Sequence, residues 1–299
     1  MIARRGLLAA PLALALAARL SAAETRVEWA DPKSPLMPPM RVSIALPPGY
    51  AGSDARYPVL YMHDGQNLFD PATAMGNIPW AVDTTAARLA AAGSIPPLII
   101  VGIHSGKDRT RTYLPAGIVG ALPRFVMAGL QRRLNGPVQS QAYLRWIAES
   151  LKPRVDAAFR TRPERASTGL MGSSMGGLIS LAGLMDHPQV FGFAGCLSTH
   201  WPLFIEQPPP YAADVQAAWT KLLTDDLDSP RGRRLWFDHG TETLDAGYAP
   251  YQAVIDTLLP TLGWVKGRDF ESRAYPGAAH TEAAWAARVQ DPLRWLLRA

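Results

Sequence analysis

Thr168-Gly169-Leu170-Met171-Gly172-Ser173-Ser174-Met175-Gly176-Gly177 is the stretch that decides how this chain is read. It holds the pattern G-x-S-x-G with Ser174 at its centre. Between a strand and a helix, this pattern makes a sharp turn. The turn lifts the serine oxygen clear of the sheet and leaves the next backbone N–H facing outward. A Cβ at Gly172 or Gly176 is expected to collide with neighbouring backbone, because the turn is tight. Small-residue turns are common, so the pentapeptide takes its meaning from its flanks. Residues 165–171 read as a short buried strand, and Leu178-Ile179-Ser180-Leu181-Ala182-Gly183-Leu184-Met185 as a buried helix. Ser174 is therefore read as a nucleophile rather than a plain turn residue.

Working outward, further strands and helices alternate. Met40-Arg41-Val42-Ser43-Ile44-Ala45-Leu46 alternates as a half-buried strand should, within an edge hairpin over residues 24–48. Tyr57-Pro58-Val59-Leu60-Tyr61-Met62 and Pro96-Pro97-Leu98-Ile99-Ile100-Val101-Gly102-Ile103 read as buried strands. So do Val190-Phe191-Gly192-Phe193-Ala194-Gly195-Cys196-Leu197, Leu235-Trp236-Phe237-Asp238 and residues 270–275. Helices are expected over 80–92, 143–159, 248–262 and 282–297, the second kinked by Pro153. Residues 104–137 read as an irregular or partly helical cover, and the Pro-rich 202–232 as an insertion. The alternation implies an α/β fold: a mostly parallel central sheet with helices on both faces, in one domain over residues 24–299.

The chain has 299 residues, 48 % hydrophobic and 18 % charged, a globular composition. Residues 1–23 read as an export signal. Arg4 and Arg5 precede an apolar stretch from Gly6 to Ala18, and Ser21-Ala22-Ala23 supplies a cleavage site. Arg4-Arg5-Gly6-Leu7-Leu8 also resembles a twin-arginine signal. A periplasmic or secreted protein is expected, with no later membrane span. Three of the charges behind the formal +5 (Arg4, Arg5 and Arg19) lie in that leader. No Lys/Arg run after residue 30 is dense enough for nucleic acid, and the cluster Arg231, Arg233 and Arg234 reads as a solvated loop. The one cysteine, Cys196, excludes an internal disulfide and a cysteine-based zinc site, and reads as a small buried hydrophobe. There is no H-E-x-x-H, dinucleotide or P-loop pattern, and Asp225, Asp226 and Asp228 lack the glycine and closing glutamate of a calcium loop. Neither a metal nor a cofactor is expected.

A serine hydroxyl needs a base, and the base needs a group that fixes its tautomer. The order serine, acid, histidine along the chain is that of α/β-hydrolases. His280, after the last strand and a Pro-Gly turn, suits the base better than His200 or His239, which precede most of the acids; its plain alternative is a surface or capping histidine. The acid is Asp245, Glu242 or Asp238, all in or beside the loop after the 235–238 strand, with Asp245 preferred although it could cap the next helix. The oxyanion hole needs two N–H donors. Met175 offers one, and Gly65 or Gln66, in the turn after Met62, the other; alternatively that turn only satisfies its own backbone. His200 and Trp201 are expected to wall the substrate pocket, although a tryptophan there equally suits the core.

Four stretches together resemble the esterase D / enterochelin-esterase-like group of α/β-hydrolases. They are residues 57–69 with His63-Asp64-Gly65-Gln66-Asn67, the serine turn through Leu178, Asp238-His239-Gly240-Thr241, and Gly277-Ala278-Ala279-His280-Thr281-Glu282-Ala283-Ala284-Trp285. The resemblance spans about residues 40–295, and the histidine followed by Glu282 and Trp285 is its most telling part. It implies an α/β-hydrolase fold, Ser174 as nucleophile, His280 as base and an ester as substrate. The group includes ferric-siderophore, feruloyl and acetyl esterases, S-formylglutathione hydrolase and mycolyl transferases, so it does not choose the ester. Its acid usually falls at the fourth place of a Gly-Thr-x-Asp/Glu loop; here that place is Thr243, and Asp245 stands two residues on. The expected activity is an exported serine carboxylesterase acting on a small-molecule or carbohydrate ester. The alternatives are acyl transfer by the same residues, or ester binding without catalysis.

Overall fold

Val59 and Tyr61 belong to one hydrophobic core, and Leu60 and Met62 to a second. The same period of two splits the apolar strand residues further along: Val101 from Ile100, Leu170 from Met171, Cys196 from Leu197, Phe237 from Trp236. A strand that is apolar on both faces must be covered on both, which is the state of a parallel sheet between two helical layers. The computed structural model describes residues 26–30, 36–134, 136–206 and 208–298. The expected leader, residues 1–23, lies outside them.

Among the described residues there are eight strands, β1 (Arg26–Ala30), β2 (Arg41–Ala45), β3 (Val59–His63), β4 (Ile99–Ile103), β5 (Thr168–Ser173), β6 (Phe193–Leu197), β7 (Arg234–Gly240) and β8 (Phe270–Tyr275). They form one sheet in the order β1-β2-β4-β3-β5-β6-β7-β8. β1 and β2 pair antiparallel, as the expected edge hairpin does, and β2 runs antiparallel to β4. Every later pair is parallel. The carboxyl ends of β3, β5, β6 and β7 thus lie side by side, where the loops that follow them can meet.

Helix α1 (Val82–Ala91) covers one face through Val82, Ala86 and Leu89. The other face carries α2 (Arg109–Tyr113), α3 (Ala116–Ala121), α4 (Arg124–Leu134), α5 (Ser140–Trp146), α6 (Lys152–Ala158) and α7 (Met175–Asp186). The cover over 104–137 is therefore largely helical. Between α5 and α6 the chain widens into a π-helical turn, Ile147–Leu151. The wider turn precedes Pro153, whose missing N–H and bulky ring a regular helix accommodates poorly.

The 202–232 segment, read as a Pro-rich insertion, has regular structure of its own. It contains α8 (Ala212–Asp226), which buries Val215, Ala218, Trp219, Leu222 and Leu223. Their spacing is a helical stripe that the Pro-rich run before it obscures. Helix α9 is Ala249–Thr261, and the expected last helix is two, α10 (Glu282–Arg288) and α11 (Gln290–Leu296). Trp285, Leu293 and Leu296 return these last two to the α1 face. Cys196 is buried in β6, and burial pushes its thiol pKa up. Among the described residues no helix is long and apolar enough to cross a membrane.

Candidate active site

Ser174 stands between the last residue of β5 and the first of α7, with φ 59° and ψ −121°. A positive φ is uncommon for a residue with a Cβ, and it is what turns the chain from strand to helix in a single step. The backbone around it is fully tied. Its N–H donates to the Leu197 carbonyl (2.9 Å), and its own carbonyl accepts from Gly177, Leu178 and His200. A Cβ at Gly172 would lie 2.9 Å from the Gly176 backbone, as expected. A Cβ at Gly176 would meet only His63 Cβ at 3.5 Å and Asp64 Oδ2 at 3.6 Å, which are ordinary contacts, so the steric requirement falls on Gly172 alone.

A cavity of about 570 Å³ opens beside the turn. Ser173, Ser174, His280 and Glu282 share its wall with Asp64, Gln66, Asn67, Arg109 and Trp285, and Met75 and Ile78 are exposed at it. His280 Nδ1 lies 2.6 Å from Asp245 Oδ1. Of the three candidate acids, only Asp245 reaches that nitrogen. Glu242 is exposed, and Asp238 is turned inward. The loops carrying His280 and Asp245 are laced together. Thr241 and Glu242 donate their N–H groups to the Ala278 carbonyl, and Thr243 Oγ1 accepts from the His280 N–H (2.8 Å).

Asp245 Oδ2 accepts from Ser198 Oγ (2.6 Å) and the Gly240 N–H (2.5 Å). Burial acts to raise the Asp245 pKa, but the bonds from His280, Ser198 and Gly240 outweigh it and hold the carboxyl below its usual range. Ser198 Oγ in turn accepts from Trp285 Nε1 (2.9 Å) and Arg288 Nη2 (2.7 Å). Arg288 also holds Asp238 at 3.0 Å, with Trp236 Nε1 on the other oxygen. Sequence reasoning missed Ser198 and Arg288. The available signal was Arg288 standing one helical turn after Trp285, on the same face.

Asp238 and Arg288 are 0 % and 4 % exposed at their side chains. Removing one partner of such a pair strands the other charge. Arg288→Leu is expected to lower stability by about 3–5 kcal/mol, read from a urea titration, and an added Asp238→Asn should recover part of the loss.

In the turn after β3, Gly65–Asn67 forms a short 3₁₀ segment. The first N–H groups of a helical segment lack partners within it, and the same holds for Met175 at the start of α7. Gly65 packs directly on β4: a Cβ there would come within 2.5 Å of the Gly102 backbone. Gln66 clamps the turn by exchanging two hydrogen bonds with Ser105, at 2.9 and 3.0 Å. Asp64 accepts from two guanidinium nitrogens of Arg109, Nε and Nη2, each at 2.7 Å. Burial works against the Arg109 charge, but Asp64 outweighs it and holds the guanidinium pKa above its ordinary value.

Two expected pocket residues are elsewhere. Trp201 is 1 % exposed; its indole N–H donates to Gln252 and its ring packs on Trp219 and Phe237. It is a core tryptophan because that partner and those rings fill its surroundings. His200 is buried behind the cavity, with Nδ1 2.6 Å from the Tyr248 hydroxyl, and Tyr248 meets the His280 ring edge-on. Burial, then the charges of His280 and Arg109, push the His200 pKa down to about 3, so it stays neutral. Among the described residues there is no cluster of three or more His, Cys, Asp or Glu that could hold a metal ion.

Known proteins share this framework. The chain is 25 % identical over 162 residues to the uncharacterized protein YbbA of Bacillus subtilis, a match covering 54 % of this chain and 57 % of that one. It is 26 % identical over 176 residues to an endo-1,4-beta-xylanase/feruloyl esterase of Xylanibacter ruminicola, covering 56 % and 20 %. The chain thus spans less than two thirds of the length of either curated relative. Among solved structures, an IroE-like serine hydrolase from Shewanella oneidensis superposes with TM-score 0.65 at 23 % identity, over 91 % of this chain and 79 % of that one. A ferulic acid esterase gives 0.64 at 17 %, over 91 % and 98 %. The enterochelin esterase of Shigella flexneri gives 0.62 at 18 %, over 91 % and 57 %. At these identities the likeness concerns the fold, which is that of the α/β-hydrolases. The sequence profile described as "Putative esterase" matches residues 35–296, and the chain belongs to that esterase family.

Proposed function

We propose that the protein is an exported serine carboxylesterase, with Ser174 as nucleophile, His280 as its base and Asp245 as the acid that orients His280. The observation that carries this reading is the 2.6 Å contact between Asp245 and His280 Nδ1, behind a cavity that His280 and Ser174 both line. With Asp245 ionised, Nδ1 carries the proton and Nε2 is left free to accept one. Ser174 Oγ attacks the ester carbonyl carbon as its proton passes to Nε2. The N–H of Met175 and that of Gly65 or Gln66 receive the oxyanion. The tetrahedral intermediate then expels the alcohol, which takes the proton from His280. Water repeats the sequence on the acyl-enzyme, releasing the acid and restoring the Ser174 hydroxyl.

The cavity wall carries Asp64, Gln66, Asn67, Arg109 and Glu282. The surface of that wall is nonetheless largely apolar, with Met75, Ile78 and Trp285 lining it beside these groups. The substrate is a small-molecule or carbohydrate ester, in the class of siderophore, feruloyl-sugar and acetyl-sugar esters that the family's members suggest. Residues 1–23 act as the leader that takes the enzyme to the periplasm or beyond.

A fluorophosphonate label followed by peptide mapping tests the assignment, together with hydrolysis of short p-nitrophenyl esters. The expected result is turnover, with one label on Ser174. Folded protein that neither turns over nor takes the label would sink the esterase reading and leave an ester-binding protein.

A further inference from the structure

We propose that Glu282 is a specificity-determining residue of the cavity, an acid group that admits uncharged esters and, once ionised, repels substrates carrying a negative charge. The inference rests on the esterase reading above. Glu282 opens α10 two residues after His280 and shares the cavity wall with it, yet acyl transfer as derived gives it no task. It is 7 % exposed. Its carboxyl is held from the protein side by two donors, Asn67 Nδ2 on Oε1 (3.1 Å) and Trp80 Nε1 on Oε2. Asn67 must donate there, because its own oxygen already accepts from the Met75 N–H (3.0 Å). The carboxyl is thus fixed in place, against the turn that offers the oxyanion donors.

The charges around it are few. From the turn after β3 comes Asp64, and from the start of α2 Arg109, and these two neutralise each other through their paired bonds. From its own loop comes His280, backed by Asp245. The turn at Met75, Gly76 and Ile78 and the indole of Trp80 bring none. With His280 neutral, the cavity wall is uncharged when Glu282 is protonated and carries one negative charge when it is not. Burial first, then the Asp64 charge, push the Glu282 pKa up to about 7, against the Trp80 N–H and Arg109. The change of cavity charge therefore falls near neutral pH, and above it the full negative charge stands against an incoming anion.

Phenyl acetate and 4-acetoxybenzenesulfonate share an acyl group and differ by a sulfonate, so the ratio of their kcat/KM values cancels every effect common to both esters. In the wild-type enzyme that ratio, neutral over anionic, is expected to rise about tenfold between about pH 6 and about pH 8.5, and to shrink with added salt. In Glu282→Gln it should stay flat. A flat ratio in the wild type, or an equal rise in Glu282→Gln, overturns the proposal; the wild-type profile decides alone if the variant does not fold. Turnover with a flat ratio rejects the role of Glu282 only. No turnover of either ester at any pH rejects the esterase reading, and this inference with it.

Discussion

Ser174→Ala is expected to lower kcat for p-nitrophenyl ester hydrolysis by about 10⁵-fold or more, with KM little changed. The alanine removes only the oxygen. The turn that presents it is held by backbone bonds to Leu197, Gly177, Leu178 and His200, none of which needs the hydroxyl. The cavity and the proposed oxyanion donors therefore survive, and binding should survive with them. Whatever rate remains would report those donors acting on water alone. Fluorophosphonate labelling should disappear in the same variant. A Ser174→Ala protein that keeps a substantial share of the wild-type rate would mean that another nucleophile does the work.

Asp245→Asn is expected to cost about 10⁴-fold in kcat while leaving the fold intact. The reason lies in what surrounds the side chain. Ser198 Oγ and the Gly240 N–H both donate to Oδ2, so an asparagine there must turn its carbonyl toward them. Its NH₂ then faces His280 Nδ1 and donates to it, which drives the imidazole proton to Nε2. That nitrogen can no longer take the proton from Ser174. Glu242→Gln, on an exposed side chain, should change kcat by less than about twofold. Steady-state kinetics on the two variants side by side decide the matter. A large loss in Glu242→Gln with little in Asp245→Asn would overturn the choice of acid.

Much of this molecule is legible in its sequence because burial leaves a period. The strands of the sheet core are apolar on successive residues, which only a sheet covered on both faces explains, and the glycine-flanked serine marks where one of them turns. What periodicity cannot show is where a loop doubles back. Residues Thr243–Gly247 form a 3₁₀ turn, with Thr243 itself at φ 53°, and that turn swings Asp245 back against Gly240 and His280. The resemblance puts the family's usual acid place at Thr243, two residues short of the Asp245 that the sequence reading prefers. Likewise Glu282 and Asn67 stand 215 residues apart, and only the sheet order brings them together. Trp201 was misplaced for another reason. Position beside a site does not say which way a ring turns, and a partner for its indole N–H, Gln252, was waiting in α9. Helix α8 is absent from the sequence reading although its stripe is in plain sight, because the Pro-rich run at its approach drew the whole segment into one insertion.

The left-handed backbone at Ser174 sets two demands on the chain against each other. Glycine would adopt φ 59° without strain, so at this one position the residue best suited to a durable fold is not the residue proposed to do the chemistry. On the proposed mechanism, a library selected for heat resistance alone would be drawn toward glycine at 174 and would gather proteins that last longer and turn nothing over. Selection that also reads turnover is the only kind that keeps the serine.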